Sequence, residues 1–323
     1  MTLLRFLLIA GLLLPVPVAF AQSDPAAMQW LQRIYSATQK LSYTGTFVYQ
    51  HDDQVETSRI TRMANASGPV ERLEILDGVP REIIRSRDQV VCYLPSIATI
   101  KIDKQGGRHP FPLILSDQLK DLAESYVVRK GELERVAGYD CQVIVLEPRD
   151  NMRYAQRLCA ELASGMLLKA KTLNEKNEML EAFAFTQLKI GGHIDREKLK
   201  PRFMTRSKDW HVEDSEATEM DLAQAGWTVR SQPPGFRKVT EMTRTLNGAT
   251  GVGHIVFSDG LAAVSVFIEP AVARNAARQP GLSRQGAINV FARQVDNYWV
   301  TVVGETPAES VKLIANAVEH RKP

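Results

Sequence analysis

The stretch YTGTFVYQ, residues 43–50, decides the fold of this chain. Tyr43, Phe47 and Tyr49 alternate along it with two threonines and a valine, and this alternation predicts a β-strand with one apolar face. Similar short runs follow as far as residue 190, separated by turn-forming pairs such as Asp77-Gly78. The predicted strands are Thr57–Met63, Val70–Leu76, Arg81–Ile84, Gln89–Leu94, Thr99–Ile102, Tyr126–Lys130, Glu134–Ala137, Cys141–Glu147, Met152–Glu161, Leu167–Leu173 and Leu180–Ile190.

Short connections and the lack of a repeating strand–helix–strand pattern favour a single antiparallel sheet. A sheet of this length curls to bury one face. A helix precedes it, because Asp24 can cap a helix, Pro25 fits its first position, and apolar residues recur at helical spacing. A second short helix is predicted at Leu113–Ser125. The fold class is therefore α+β, with a large antiparallel half-barrel sheet and helices that plug its hollow.

Residues 191–213 interrupt this pattern with a concentration of charge, which is typical of a linker. Beyond them we expect a helix at Asp214–Ala225, several strands, and a last helix that starts at the capping-box sequence TPAE, residues 306–309. These elements predict a smaller C-terminal α+β domain. The predicted organisation is a first domain at 22–195, a linker at 196–214 and a second domain at 215–323.

The N-terminal 21 residues have the pattern of a cleaved secretory signal. Arg5 precedes the apolar run Phe6–Leu14, and Ala19-Phe20-Ala21 forms a small-residue cleavage site. The alternative is a membrane anchor, but Pro15 and Pro17 interrupt the run and a bilayer needs about 20 apolar residues. We therefore expect export to the periplasm, and the roughly 300 residues that remain favour two domains.

Two of the three cysteines lie on adjacent predicted strands. If Pro148 faces Met152 across the turn between these strands, Cys141 lies opposite Cys159, about 5 Å away between Cα atoms. The oxidising periplasm would preserve a disulfide there. The alternative is two buried thiols, because a slip of one residue separates them. Cys92 is then left as a small buried residue.

Sequence patterns for catalysis are missing. The six histidines are scattered without zinc-type spacing, and no serine-nucleophile elbow or phosphate-binding glycine loop occurs. We therefore predict no cofactor and no metal. His51-Asp52-Asp53 is the one acid–base cluster, but it lies at a predicted hairpin tip, where solvated charge is the ordinary explanation. A net charge of +3 does not suggest nucleic acid, so we predict a binding protein and not an enzyme.

An ordered set of short motifs resembles a known family. The motifs are YTGTFVY at 43–49, ERLEILDG at 71–78, REIIR at 81–85, CYLP at 92–95, Trp210, GW at 226–227, PGF at 234–236 and GETP at 304–307. Together they resemble the RseB/MucB family of periplasmic regulators across essentially the whole mature chain. The cysteine pair 141/159 departs from the general pattern of that family.

The resemblance implies a regulator that binds the periplasmic domain of a membrane-bound anti-sigma factor, RseA or MucA, and protects it from proteolysis. It also implies that the first domain is similar to the lipoprotein carriers LolA and LolB. That domain would sense lipid, lipopolysaccharide acyl chains or mislocalised lipoproteins and then release the anti-sigma factor. The protein would thus negatively control an envelope-stress sigma factor.

An apolar hollow is the predicted lipid-binding site, because each buried methylene of an acyl chain contributes about 0.8 kcal/mol. Its candidate lining residues are Trp30, Leu31, Ile34, Phe47 and Tyr49. The alternative for each is simple packing of the helix against the sheet.

The second domain, 215–323, and the linker together are the predicted partner-binding region, with the candidate residues in the linker. Arg202, Arg206, Lys208 and Trp210 combine cations with an aromatic ring, the residue types that anchor interfaces. The alternative is a solvated linker face. Two other functions remain open, a periplasmic lipoprotein or lipid carrier and an envelope hydrolase. The sequence also leaves the oligomeric state open, a homo-oligomer included.

Overall fold

The computed structural model describes residues 22–104, 119–204, 207–215, 217–246, 248–271 and 279–321. The predicted signal segment lies outside these residues, as does the first part of the helix predicted at Leu113–Ser125. Within the described residues, two large sheets divide the chain into a first and a second domain.

The first domain is one twelve-stranded sheet in the described part of the chain, in the order β12-β6-β5-β4-β3-β2-β1-β11-β10-β9-β8-β7. Its pairs are antiparallel except β6 with β12, which are parallel. Its elements are α1 (Pro25–Lys40), β1 (Tyr43–His51), β2 (Gln54–Met63), β3 (Val70–Ile75), β4 (Glu82–Arg85), β5 (Val90–Leu94), β6 (Thr99–Asp103), α2 (Leu119–Ser125), β7 (Tyr126–Val136), β8 (Tyr139–Pro148), β9 (Ala155–Glu161), β10 (Leu167–Leu173), β11 (Met179–Ile190) and β12 (His211–Ser215). The large antiparallel sheet predicted from the sequence is confirmed.

Strand β1 behaves as its alternation predicts. Tyr43 and Phe47 are buried on the face that packs against α1. Gly45 lies between them because a Cβ there would stand 2.8 Å from the ring of Phe185. The Asp24 side chain accepts a hydrogen bond from the backbone N–H of Ala26 at 2.9 Å, so helix α1 begins where the sequence predicts.

The second domain is a seven-stranded sheet among its described residues, in the order β13-β15-β16-β17-β20-β19-β18. A two-stranded pair, β14 with β21, and the helix α3 accompany it. Its elements are β13 (Ala217–Glu219), β14 (Trp227–Val229), β15 (Arg237–Leu246), β16 (Ala249–Ser258), β17 (Ala263–Pro270), β18 (Gly281–Gln285), β19 (Ile288–Val295), β20 (Tyr298–Gly304), α3 (Ala308–Ala317) and β21 (Val318–His320).

Two local predictions for this domain are wrong. The helix expected at Asp214–Ala225 is instead the end of β12, strand β13 and a 3-10 turn at Leu222–Ala225, because β6 and β15 provide strand partners for this segment. The capping box is also wrong, since α3 begins at Ala308 and no side chain caps it. Pro307 takes the cap position and Thr306 lies one residue too early.

The disulfide between Cys141 and Cys159 is present, with 5.4 Å between the Cα atoms. Its predicted register is wrong by two residues, because Cys141 lies opposite Glu161 and Cys159 opposite Val143. The two cysteines are diagonal neighbours on one face of the hairpin, and such neighbours remain within reach of each other. Cys92 is a half-buried free thiol whose pKa is raised by burial.

Candidate functional site

A buried ion pair joins the two domains. Nη1 of Arg153, which follows β8, lies 3.2 Å from Oδ2 of Asp259, which follows β16. The side chains are 0% and 1% exposed. The hydroxyl of Tyr126 donates to the same carboxylate oxygen at 3.3 Å. The pair thus connects elements of different domains in a place without water access.

Aromatic rings and a tight turn enclose the guanidinium of Arg153. Its carbon lies 5.1 Å from the ring centre of Phe236 and 5.6 Å from that of Tyr126, within the range of cation–π attraction. Nη2 of Arg153 also donates a hydrogen bond to the carbonyl oxygen of Pro234. Gly235 has a φ of +79°, and a Cβ there would stand 2.5 Å from Oγ of Ser125. The second domain therefore meets the first through a turn that requires glycine.

The electrostatics of this contact balance burial against hydrogen bonding. Burial raises the pKa of Asp259, although the N–H groups of Leu261 and Ala262 and the charge of Arg153 act in the opposite direction. Burial and the nearby Asp259 carboxylate also raise the pKa of Tyr126 well above its ordinary value. Taking two charges out of water is unfavourable unless both are well bonded. The ion pair therefore contributes more to fixing one arrangement of the two domains than to the stability of the fold.

Further polar contacts cross the same boundary. Nδ2 of Asn289 lies 2.9 Å from the hydroxyl of Tyr154, and the hydroxyl of Ser310 donates to the carbonyl of Met152. The N–H of Gly286 donates to Oδ2 of Asp52 at 2.8 Å. The hairpin tip that carries this aspartate, predicted to be a solvated charge, therefore contacts the second domain.

A buried histidine lies near another interdomain ion pair. Nη2 of Arg244 on β15 is 2.9 Å from Oδ2 of Asp103 on β6. On the adjacent strand, His254 stacks on Phe267 at 4.4 Å and its Nε2 is 3.2 Å from Oγ of Ser265. Burial and the charge of Arg244 lower the pKa of His254 to about 4. The histidine is therefore neutral when the domain is folded at ordinary pH.

The linker is attached to the first domain. Arg202 forms an ion pair with Glu74 of β3, and its backbone N–H donates to Oε2 of Glu82 at 2.9 Å. Glu82 is fully buried and also pairs with Arg72. The linker thus lies across a row of charged side chains on β3 and β4.

The predicted partner-binding residues do not share one environment. Arg202 remains 67% exposed, although its guanidinium is engaged by Glu74. Lys208 is exposed, and Trp210 is half-buried with its ring centre 6.0 Å from that of Phe203. Arg206 lies outside the described residues. The partner-binding role of this set stays a prediction.

The predicted lipid-binding residues belong to one apolar cluster. Leu31, Ile34 and Phe47 are buried in the core of the first domain, and Trp30 and Tyr49 pack against its edge. The hydroxyl of Tyr49 donates to Oε2 of a glutamate on β11 at 2.6 Å, and this contact, together with burial, raises the pKa of the tyrosine. The clustering fits both an acyl site and simple core packing, so the lipid role also stays a prediction.

The interdomain ion pair was missed by sequence reasoning. The strand predicted at Met152–Glu161 includes Arg153, and no sequence pattern distinguishes Asp259. The sequence did single out residues 234–236 as a motif, without a role. A charged residue beside the hairpin turn at 148–151 is ordinary in a loop, so only the fold reveals that it is buried.

Among the described residues, no group of three or more His, Cys, Asp or Glu side chains is arranged to hold a metal ion. None of the helices that the structure describes has the length and apolar character needed to cross a bilayer.

Comparison with known proteins adds an independent result. Residues 26–203 match the MucB/RseB N-terminal domain family, and residues 221–319 match the MucB/RseB C-terminal domain family. Sigma factor AlgU regulatory protein MucB of Pseudomonas aeruginosa is 31% identical, over 97% of this chain and 96% of that protein. Sigma-E factor regulatory protein RseB of Escherichia coli K12 is 24% identical, over 93% of each. A crystal structure of MucB in complex with MucA(peri) has a TM-score of 0.68 and 29% identity, covering 92% of this chain and 100% of that one.

Proposed function

We propose, from the premise that the chain belongs to the MucB/RseB family, that it is a periplasmic regulator that binds a membrane-bound anti-sigma factor. By binding, it would protect the periplasmic part of that factor from regulated proteolysis and so keep an envelope-stress sigma factor inactive. The observation that carries this proposal is the similarity of both domains, in order, to MucB in complex with MucA(peri).

The second half of the proposal is release by lipid. Helix α1 lies on the apolar face of the large sheet, and the cluster of Trp30, Leu31, Ile34, Phe47 and Tyr49 is the part of the first domain that an acyl chain would enter. Entry would have to separate α1 from the sheet, because three of these side chains are fully buried. Apolar burial would supply the driving force for that step.

The exposed part of the linker is the proposed docking surface for the anti-sigma factor. Lys208 is exposed and would meet an acidic partner, and Trp210, two residues further on, is partly accessible. Arg202 would contribute its exposed portion while Glu74 fixes its position. Arg and Trp side chains at a fixed position are effective anchors because little entropy is lost when they bind.

Lipid can weaken partner binding only if it favours an arrangement with lower affinity for the partner. A coupling free energy of about 1–3 kcal/mol changes affinity by roughly 5–150-fold. The interdomain contact at Arg153 and Asp259 is the element on which such a coupling would act, because it fixes how the two domains meet.

A proteolysis assay tests the proposal. The purified periplasmic domain of the anti-sigma factor is digested by its site-specific protease alone, with the full mature chain, and with the chain plus a lipopolysaccharide or a diacylated lipopeptide. We expect protection by the chain and loss of protection with lipid. A lipid carrier would give no protection in either condition, and a hydrolase would consume the added lipid.

A further inference from the structure

A cavity of about 450 Å³ lies in the first domain, and none of its described lining residues belongs to the apolar cluster under α1. The C-terminal end of α1, the loop between β2 and β3, and the turn after β4 surround it. Its polar lining includes Gln39, Arg62, Asn65, Glu71, Arg85 and Arg87, and we call it the arginine pocket. Nothing in the proposed function uses this cavity.

The pocket has an excess of positive charge, because its lining includes three arginines and one carboxylate. Both oxygens of that carboxylate are engaged. Oε2 of Glu71 accepts from Nη1 of Arg62, and Oε1 accepts from Nη1 of Arg85 at 3.0 Å. Among the described lining residues, the third arginine, Arg87, therefore has no counter-ion, and these residues carry a formal charge of about +2.

Two of the guanidinium groups have unused donors. Arg62 is 1% exposed, and its Nη2 donates to the carbonyl of Thr38 at the end of α1. The Nε atoms of Arg62 and Arg85 are buried and have no hydrogen-bond partner among the described residues. Leaving a buried N–H without a hydrogen-bond partner costs about 1–3 kcal/mol of stability. These donors therefore favour a ligand that accepts hydrogen bonds.

Arg87 is exposed at the rim of the pocket. Gly68, with a φ of +110°, brings the opposite loop so close that a Cβ there would stand 3.2 Å from Cβ of Arg87. The loop therefore holds the stem of this arginine beside the cavity, while its guanidinium remains able to reach a bound group.

We propose that the arginine pocket binds a phosphate group. Guanidinium groups match the oxygens of phosphate with two parallel hydrogen bonds, and charge makes these bonds roughly twice as strong as neutral ones. The amides of Gln39 and Asn65 supply neutral donors beside the charges. The cavity is larger than a phosphate ion, so the phosphate of a lipid headgroup and that of a soluble phosphate ester share the chemistry that the pocket recognises.

Calorimetry with the full mature chain at physiological salt tests the site, with inorganic phosphate and glucosamine 1-phosphate as probes. We expect saturable binding by the wild type. The affinity should be about tenfold lower in Arg87→Ala, because that variant loses one charge-assisted hydrogen bond to the phosphate. Arg81→Ala is the matched control, since it removes the same charge from an exposed arginine that pairs with Glu56 outside the pocket. Equal losses in the two variants, or no saturable binding by the wild type, would overturn the proposal.

A second variant gives a change of opposite sign. Glu71→Gln removes the one carboxylate among the described lining residues, so phosphate affinity should rise although the fold loses two ion pairs, with Arg62 and Arg85. A purely structural network would lose stability and gain no affinity, and that result would contradict the site.

Vesicle flotation then distinguishes the two sources of phosphate. Binding to phosphatidylglycerol vesicles but not phosphatidylcholine vesicles, reversed by Arg87→Ala, assigns the site to a lipid headgroup. Binding of the soluble ester alone assigns it to a soluble ligand. The inference is independent of the proposed function, because a chain that binds phosphate and fails to protect the anti-sigma factor retains the pocket and loses only the regulatory role.

Discussion

Replacing Arg153 by methionine is the sharpest test of the interdomain contact. The arginine side chain is fully buried beside Asp259, which is itself 1% exposed. Methionine retains most of the apolar contact with Phe236 and Tyr126, so the variant removes the charge more than the packing. Asp150 also loses an ion pair, but its side chain is 29% exposed and water can replace the arginine. The main effect is therefore an unpaired carboxylate in the interface.

Breaking a buried ion pair by removing one member destabilises a protein by about 3–5 kcal/mol. We expect the lower end for Arg153→Met, because Asp259 still accepts from the N–H groups of Leu261 and Ala262 and from the hydroxyl of Tyr126. Adding Asp259→Asn should restore most of the loss, since the neutral amide can still accept both backbone hydrogen bonds. The double variant should thus be more stable than the single one.

The pH dependence of the same variant provides a second check. Arg153 lowers the pKa of Asp259, and burial raises it. Without the arginine, the pKa of Asp259 in the folded protein moves further above its value in the unfolded chain. The ionised carboxylate therefore destabilises the fold at pH values above the folded-state pKa, and this destabilisation disappears as the pH falls and the group becomes protonated. The deficit of Arg153→Met relative to wild type should therefore shrink on acidification.

Urea unfolding followed by tryptophan fluorescence measures these free energies, with Trp30 reporting on the first domain and Trp227 and Trp299 on the second. Arg129→Met is the matched control, because Arg129 pairs with Glu147 on the surface, where both side chains are about half exposed. That control should lose less than about 1 kcal/mol. A similarly small loss for Arg153→Met, with no recovery in the double variant, would refute the reasoning.

Three further variants test other parts of the structure. Below about pH 6.5, unfolding lets His254 take up a proton, because its pKa in the folded protein is about 4. The unfolding free energy of the wild type, measured by urea titration, should therefore fall by about 2 kcal/mol between pH 7 and pH 5, and His254→Gln should reduce this pH dependence. Gly235→Ala forces a side chain into a φ of +79° against Ser125, so its melting temperature should fall with a loss of about 1–2 kcal/mol, whereas Gly248→Ala, with a similar φ but open space, should lose less. The double change of Cys141 and Cys159 to alanine opens a loop with a sequence separation of 18, and its unfolding free energy should fall by about 3 kcal/mol to the level of the reduced wild type. A pH slope that His254→Gln leaves unchanged, equal losses in the two glycine variants, or an oxidised wild type no more stable than the alanine pair would contradict the respective arguments.

The large sheet could be predicted from the sequence because strand alternation is a local signal. In β1 the buried Tyr43 and Phe47 follow directly from a period of two. The disulfide was predicted although its register was wrong, since a shift of two residues preserves the face on which a side chain lies. Sequence signals of this kind survive small errors in position.

Other features depend on partners that are distant in sequence. The segment of β12 was predicted as part of a linker and the start of a helix, but its pairing with β6 determines that it is a strand. The burial of Arg153 likewise requires a turn of the second domain to cover it. Neither partner can be identified from the local sequence, because its position is set by the complete fold.

The regulatory proposal requires the two domains to have a second arrangement. The buried ion pair contributes to the free-energy cost of reaching that arrangement. Separating Arg153 from Asp259 returns both charges to water, so hydration offsets part of the lost attraction. The ion pair is one of several polar contacts between the domains, and it therefore adds less to the cost of separation than its attraction alone would. Lipid binding changes partner affinity by roughly 5–150-fold where it favours the separated arrangement with a coupling free energy of about 1–3 kcal/mol. A contact of apolar side chains of equal area would lack this compensation and would hold the domains together more firmly. An ion pair at this boundary thus suits a protein that must hold one geometry until a signal arrives and then release it.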